Sequence, residues 1–299
     1  ISYIYLGITL LCALTYLLLG MDAFDASVHA MTTVATGGFA NYDASFGFFA
    51  GPIEYAATIF MILAALPFVR YVQLINGNQN ALWQDAQIRG FIATIAVLVA
   101  ICCAVLTIGQ DRSFETSLRQ SLFNIVSIVS GTGYASTNYM LWGPFLIALF
   151  FFIGLIGGCA GSTACSIKIF RYQLLFASVK TQVQRIHSPN GIFTPRYDGR
   201  PVSEDVLGSV MSFFVFFIVT MGLLAVALSL TGVDLITALS GSAAALANIG
   251  PGLGDRIGPA GNYTTLNDVA KWLLAVGMLI GRLELMAVYA ILTLRFWRA

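Results

Sequence analysis

The chain has 299 residues, of which 58% are hydrophobic and only 10% charged, with a mean hydropathy of +0.83 and a formal net charge of +1. A soluble domain carries roughly 45–50% apolar and about 25% charged residues, so this composition excludes a soluble fold and points to a chain partnered by membrane lipid. Neither a nucleic-acid partner nor a cofactor is expected.

Six apolar runs are long enough to cross a ~30 Å hydrocarbon layer, which takes about 20 helical residues. They lie near 1–20, 53–72, 88–108, 144–171, 206–230 and 269–294. The runs are apolar all round, whereas barrel strands alternate over ~10-residue segments, so the predicted fold is an all-α polytopic membrane protein. Ile1 opens inside an apolar run with no basic leader and no small-residue cleavage site, which leads to the expectation that the chain begins within a longer protein. Cys12, Cys102, Cys103, Cys159 and Cys165 sit in apolar segments without metal-ligand spacing and read as small buried hydrophobes.

Charge orients the spans. With both ends cytoplasmic, the inner segments hold Arg70, Arg89, Lys168, Arg171, Lys180, Arg185, Arg196, Arg200, Arg295 and Arg298, and the outer ones only Arg112, Arg119, Arg256 and Lys271. Basic residues accumulate on the cytoplasmic side of membrane proteins. Most acids, including Asp22, Asp25, Glu54, Glu115 and Asp234, then fall outside.

One pattern is written three times: a spanning helix, an acid at its outer end, a short apolar helix, a glycine-bearing turn and a second span. Asp25 precedes a piece over 26–35 that ends in Thr36-Gly37-Gly38-Phe39; Glu115 precedes 116–128, ending in Gly131-Thr132-Gly133-Tyr134; Asp234 precedes 235–246, ending in Asn248-Ile249-Gly250-Pro251-Gly252. Pieces this short enter the bilayer and return, and such backbone is tolerated only beside protein or a water-filled path. Glycine permits φ > 0 and brings no side chain, so successive carbonyl oxygens can be aimed at one axis, where a ring of them replaces the hydration shell of a potassium ion. A short helix whose C-terminus faces that axis favours a cation there, and acids at the mouth concentrate cations.

The motifs Val34-Ala35-Thr36-Gly37-Gly38-Phe39, Ser130-Gly131-Thr132-Gly133-Tyr134 and Asn248-Ile249-Gly250-Pro251-Gly252 resemble successive filter loops of the Trk/Ktr/HKT family of potassium transporters, in particular its bacterial TrkH/TrkG-type members. The resemblance covers nearly the whole chain. It implies four helix–loop–helix repeats around one pseudo-fourfold pore, of which this chain carries the second (1–72), third (88–171) and fourth (206–299), joined by cytoplasmic connections at 73–87 and 172–205. The first repeat is then expected to lie elsewhere in the same parent protein. The resemblance makes Gly38, Gly133 and Gly250 the key filter glycines, binding potassium through backbone carbonyls together with Thr36, Gly37, Gly131, Thr132, Asn248 and Ile249. It further implies potassium uptake across a bacterial inner membrane, a homodimer, and a cytosolic nucleotide-binding regulatory subunit docked on the inner face.

Two features suggest control of flux. The run Gly157-Gly158-Cys159-Ala160-Gly161-Ser162-Thr163-Ala164-Cys165-Ser166 has poor helix propensity and lies just inside the second loop. The resemblance makes it an intramembrane gating loop; the alternative is a close-packed helix face, since Gly154/Gly158 and Gly157/Gly161 have small-xxx-small spacing. Arg282 falls in the last span, where a charge costs at least ~2.5–3.5 kcal/mol, and the resemblance places it below the filter as a barrier to ions. Glu284, two residues on, would lie on another helix face. Two other functions were weighed: a sodium- or proton-coupled secondary transporter, and an intramembrane hydrolase built on Ser162 with His29 or His187.

Overall fold

The structure, a computed structural model, describes residues 1–283, 285–293 and 296–298. The expected placing of Glu284 relative to Arg282 and the inner charge Arg295 lie outside the described residues, as does the side chain of Arg298.

Three helical hairpins follow one another. The first holds α1 (Ser2–Leu18), α2 (Ala23–Val34), α3 (Ile53–Ala65) and α4 (Phe68–Ile75). After α5 (Ala81–Gln84), the second holds α6 (Ala86–Gly109), α7 (Phe114–Ser130), α8 (Pro144–Ile153) and α9 (Ile169–His187). The third holds α10 (Glu204–Leu230), α11 (Leu235–Ala247), α12 (Asp268–Arg282) and α13 (Leu285–Leu292). Strands β1 (Ile156–Gly157) and β2 (Ile167–Lys168) pair parallel within the break between α8 and α9, and β3 (Arg196–Tyr197) pairs antiparallel with β4 (Arg200–Pro201) in the connection before α10.

The short helices α2, α7 and α11 begin alike. Asp22, Ser113 and Asp234 each stand just before the helix and accept the backbone N–H three residues on, at 2.7, 3.3 and 3.1 Å, which satisfies one of the orphan donors of a helix start. Asp25 and Glu115 therefore sit inside the first turn, not ahead of it as expected. The short helices are packed among the longer ones: α2 packs on α1, α7 lies between α3 and α6, and α11 lies between α10 and α12. Phe123 through Ser130 on α7 are all buried, as are Ser240 through Ala247 on α11.

The spans depart from six uninterrupted helices. Among the described residues α6 and α10 are individually long and apolar enough to cross a membrane, and the count rises to four if each bent pair is one span. At 1.5 Å per residue α6 is about 36 Å long and α10 about 40 Å. The second span of each hairpin is broken. Between α3 and α4 the axes turn by 90° at Leu66-Pro67, where the proline lacks an amide and pushes the residue before it out of the helical region; Leu66 is extended, with ψ 156°. Residues 154–168 separate α8 from α9, and α12 turns by 104° into α13. The first two breaks complete each other's backbone bonding: the amides of Cys159 and Thr163 reach the carbonyls of Ala65 and Ala64, and the Phe68 amide reaches the Gly161 carbonyl. Broken backbone at membrane depth needs such protein partners.

Candidate ion pathway

Each short helix ends in a turn with two left-handed residues separated by one ordinary residue. The pairs are Thr36 (φ 51°) and Gly38 (φ 63°), Gly131 (φ 76°) and Gly133 (φ 83°), and Asn248 (φ 54°) and Gly250 (φ 111°). An L residue with φ > 0 is uncommon, and Asn tolerates it better than Thr does. Local bonds hold the turns: Gly37 N–H to the Thr32 carbonyl at 2.8 Å, Gly133 N–H to Ser127 at 3.1 Å and Ile249 N–H to Ala244 at 3.1 Å. The Asn248 side chain donates across to the Met278 carbonyl of α12 at 3.0 Å.

The three loops meet. A Cβ on Gly38 would lie 1.9 Å from the Thr132 carbonyl oxygen, and one on Gly133 would lie 1.6 Å from the Ile249 carbonyl oxygen, whereas one on Gly250 would meet nothing within 4 Å. Loop one thus abuts loop two and loop two abuts loop three at equivalent positions, and the outer flank of loop three is open. Together they line a cavity of about 720 Å³ that includes Thr36, Gly37, Gly38, Gly133, Asn248, Ile249 and Gly250 and reaches Arg282. Gly131 and Thr132 are outside this lining and buried behind it. The Gly250 carbonyl accepts a hydrogen bond from the Tyr263 hydroxyl.

The acids nearest the mouth divide by burial. Asp234 is exposed, and its hydrogen bonds with Thr237 hold its carboxyl below the ordinary aspartate range. Asp25 is buried, with one oxygen accepting from Asn41 Nδ2 at 2.7 Å and the other from the Tyr42 hydroxyl at 2.8 Å. Glu54 is buried too and pairs with Arg119 of α7, which also binds Glu115 at 2.9 Å. Glu54 is thus paired by Arg119 and offers no free charge, whereas Asp25, bonded only to neutral donors, keeps its carboxylate charge from a buried position.

Residues 154–168 lie against the loops. The Thr36 hydroxyl donates to the Thr163 carbonyl at 2.9 Å, the Thr163 hydroxyl is 3.0 Å from the carbonyls of both Val34 and Ala64, and a Cβ on Gly131 would meet the Cys165 amide at 3.3 Å. No small-xxx-small helix face exists here, because the segment is not helical. Gly157 instead sits where a Cβ would be 2.2 Å from the Cys165 carbonyl oxygen, Gly158 against Ala164 and Ala65, and Gly161 at φ 78°. Ser162 and Arg282 line a second cavity of about 230 Å³ with Lys168 and Arg171. Arg282 belongs to both cavities, and its guanidinium contacts Cys165 Sγ, so Cys165 acts as a polar partner as well as a buried apolar group.

Ser162 donates to the Cys159 carbonyl at 2.6 Å and accepts from the Ala164 amide at 3.2 Å. His29 is fully buried in α2 with Nδ1 2.8 Å from the Asp25 carbonyl, and His187 is bonded to Val183 at the end of α9. Neither ring approaches Ser162, so the nucleophile and base that hydrolysis would need are not assembled. Thr163 falls within the glycine- and serine-rich run singled out from the sequence, without being given a role of its own there, whereas nothing local marks Thr32.

Re-entrant helices, meeting loops and broken second spans define a membrane transport protein of tandem helix–loop–helix hairpins. The profile of the TrkH family, described as a cation transport protein, matches residues 1–295. The Trk system potassium uptake protein TrkI of Halomonas elongata is 46% identical over 297 residues, covering 99% of this chain and 60% of that protein. TrkH of Escherichia coli K12 is 36% identical over 302 residues, covering 99% of this chain and 61% of that protein. The crystal structure of the potassium transporter TrkH from Vibrio parahaemolyticus superposes with a TM-score of 0.93 at 33% identity, covering 99% of this chain and 64% of that one. The chain belongs to the TrkH family of cation transport proteins, and it spans about three fifths of the length of these curated relatives.

Proposed function

We propose that this chain supplies three sides of a potassium-uptake pathway in a bacterial inner membrane, with the paired left-handed turns as its selectivity filter. The observation that carries this reading is the recurrence of one backbone conformation, at 36/38, 131/133 and 248/250, in three loops that abut around a single cavity. Carbonyl oxygens presented along such turns replace the hydration shell of a dehydrated cation. The C-termini of α2, α7 and α11 lead into the same turns and add the negative ends of their dipoles. The proposed filter comprises Thr36, Gly37, Gly38, Gly131, Thr132, Gly133, Asn248, Ile249 and Gly250, with Gly38, Gly133 and Gly250 as key positions.

The open flank of Gly250 is where a fourth loop, carried by the parent protein outside these residues, would complete the ring. Residues 154–168 act as the intramembrane gate and Arg282 as the barrier beneath the filter. The filter faces outward, α9 and the β3–β4 connection face the cytoplasm, and a nucleotide-binding regulatory subunit docks there on a homodimer.

Gly133→Ser in the full-length protein tests the filter. The serine Cβ would be driven against the Ile249 carbonyl, so sodium should compete with rubidium uptake in reconstituted vesicles. Retained discrimination in that assay would overturn the filter assignment.

A further inference from the structure

The residue following the second left-handed position differs among the loops. Phe39 is 75% exposed, Pro251 carries no donor, and Tyr134 is fully buried. The Tyr134 ring stacks 6.1 Å from His29 and packs 5.1 Å from Phe46. Its hydroxyl leaves its own hairpin and lies 2.5 Å from Thr32 Oγ1 and 3.2 Å from the His29 carbonyl, both on α2.

Thr32 in turn holds the first loop. Its carbonyl accepts the amides of Gly37 and Gly38 at 2.8 and 3.3 Å, and its Oγ1 is 2.9 Å from the Phe39 carbonyl. A threonine hydroxyl has one hydrogen. Spent on Phe39, it leaves Oγ1 free to accept from Tyr134, and the chain Tyr134 to Thr32 to the Phe39 carbonyl is satisfied in one direction. The rival acceptors for that hydrogen are the Val28 carbonyl at 3.1 Å, the usual back-bond of a helical threonine, and the His29 carbonyl at 3.4 Å. Loop three has a different brace, in which the Tyr263 hydroxyl binds the Gly250 carbonyl within the same hairpin.

The geometry points to Tyr134, acting through Thr32, as a positioning residue for cation selectivity that sets the spacing between the first and second loops. This rests on the filter reading above. On the cavity side the two loops already touch through Gly38 and the Thr132 carbonyl, where no atom could be inserted; on the far side the hydroxyl chain ties the second loop to the loop-bearing helix itself, beside the bonds of Ala135 with Gly47 and Ser45 further along the first hairpin. Without it, the two strands can shift relative to each other and close around a smaller ion, and buried hydroxyls left unpaired favour that movement.

The test uses the full-length protein in vesicles, with sodium competition against rubidium uptake as the readout. Tyr134→Phe keeps the ring and its packing and should let sodium compete roughly fivefold better, the weight of one net hydrogen bond. Thr32→Val should do the same, the double variant should be no worse than either single one, and Thr32→Ser should restore discrimination relative to Thr32→Val. Wild-type discrimination in Tyr134→Phe, or losses that simply add in the double variant, would overturn the proposal. If Gly133→Ser loses discrimination and Tyr134→Phe does not, the positioning role alone falls; if both retain it, the filter reading falls first.

Discussion

At the scale of single residues, charge burial separates structure from transport. Glu54 is 1% exposed, and Arg119, 14% exposed, bridges it to Glu115 and so ties α3 of one hairpin to α7 of the next. Removing one partner of a buried ion pair strands the other charge and costs about 3–5 kcal/mol, more than the pair itself contributes. Arg119→Met should therefore lower the free energy of unfolding by about that amount in a detergent titration. Adding Glu54→Gln should recover much of the loss. If Arg119→Met alone unfolds like wild type, the pair is not what joins these hairpins. Asp25 shows why such assignments elude sequence reading: Asp22 and Asp25 are both plausible helix starts, and only the fold reveals that Asp22 caps α2 while Asn41 and Tyr42 occupy both oxygens of Asp25.

At the scale of elements, the turns were legible and the breaks only partly so. Glycine at 38, 133 and 250 declared left-handed backbone because almost no other residue adopts it readily, and recurrence at matching places supplied the three loops. The run from Gly157 marked one broken span; Pro67 carries the local signal for another, across which the expected span 53–72 ran unbroken. The turn from α12 into α13 carries no proline, and the Tyr134–Thr32 contact joins residues 102 apart in sequence, so neither has a local signature. Thr163 joins the segment 154–168 to the first loop: its hydroxyl lies 3.0 Å from the Val34 and Ala64 carbonyls, and its carbonyl accepts from the Thr36 hydroxyl. Thr163→Val preserves shape and deletes the hydroxyl. Loss of about one net hydrogen bond should raise rubidium flux by roughly fivefold if this segment closes the path. Unchanged flux in a normally assembled protein would remove it as the gate.

At the scale of the whole molecule, the two cavities share Arg282 in their linings. The larger, about 720 Å³, is bounded by the three loops, and the smaller, about 230 Å³, is bounded by Ser162, Lys168 and Arg171. Arg282 is the cation that lines both, and the proposed route passes it. A fixed positive charge in a narrow, poorly solvated passage raises the electrostatic barrier to a permeating cation far more than the same charge does in water. The guanidinium touches Cys165 Sγ at the edge of the 154–168 segment, so the proposed barrier and the proposed gate are in contact. Arg282→Ala should therefore increase rubidium flux, and Arg282→Lys, which keeps the charge, should increase it less. Reduced flux through an Arg282→Ala protein that still assembles would identify the arginine as a strut for the last span instead of a barrier.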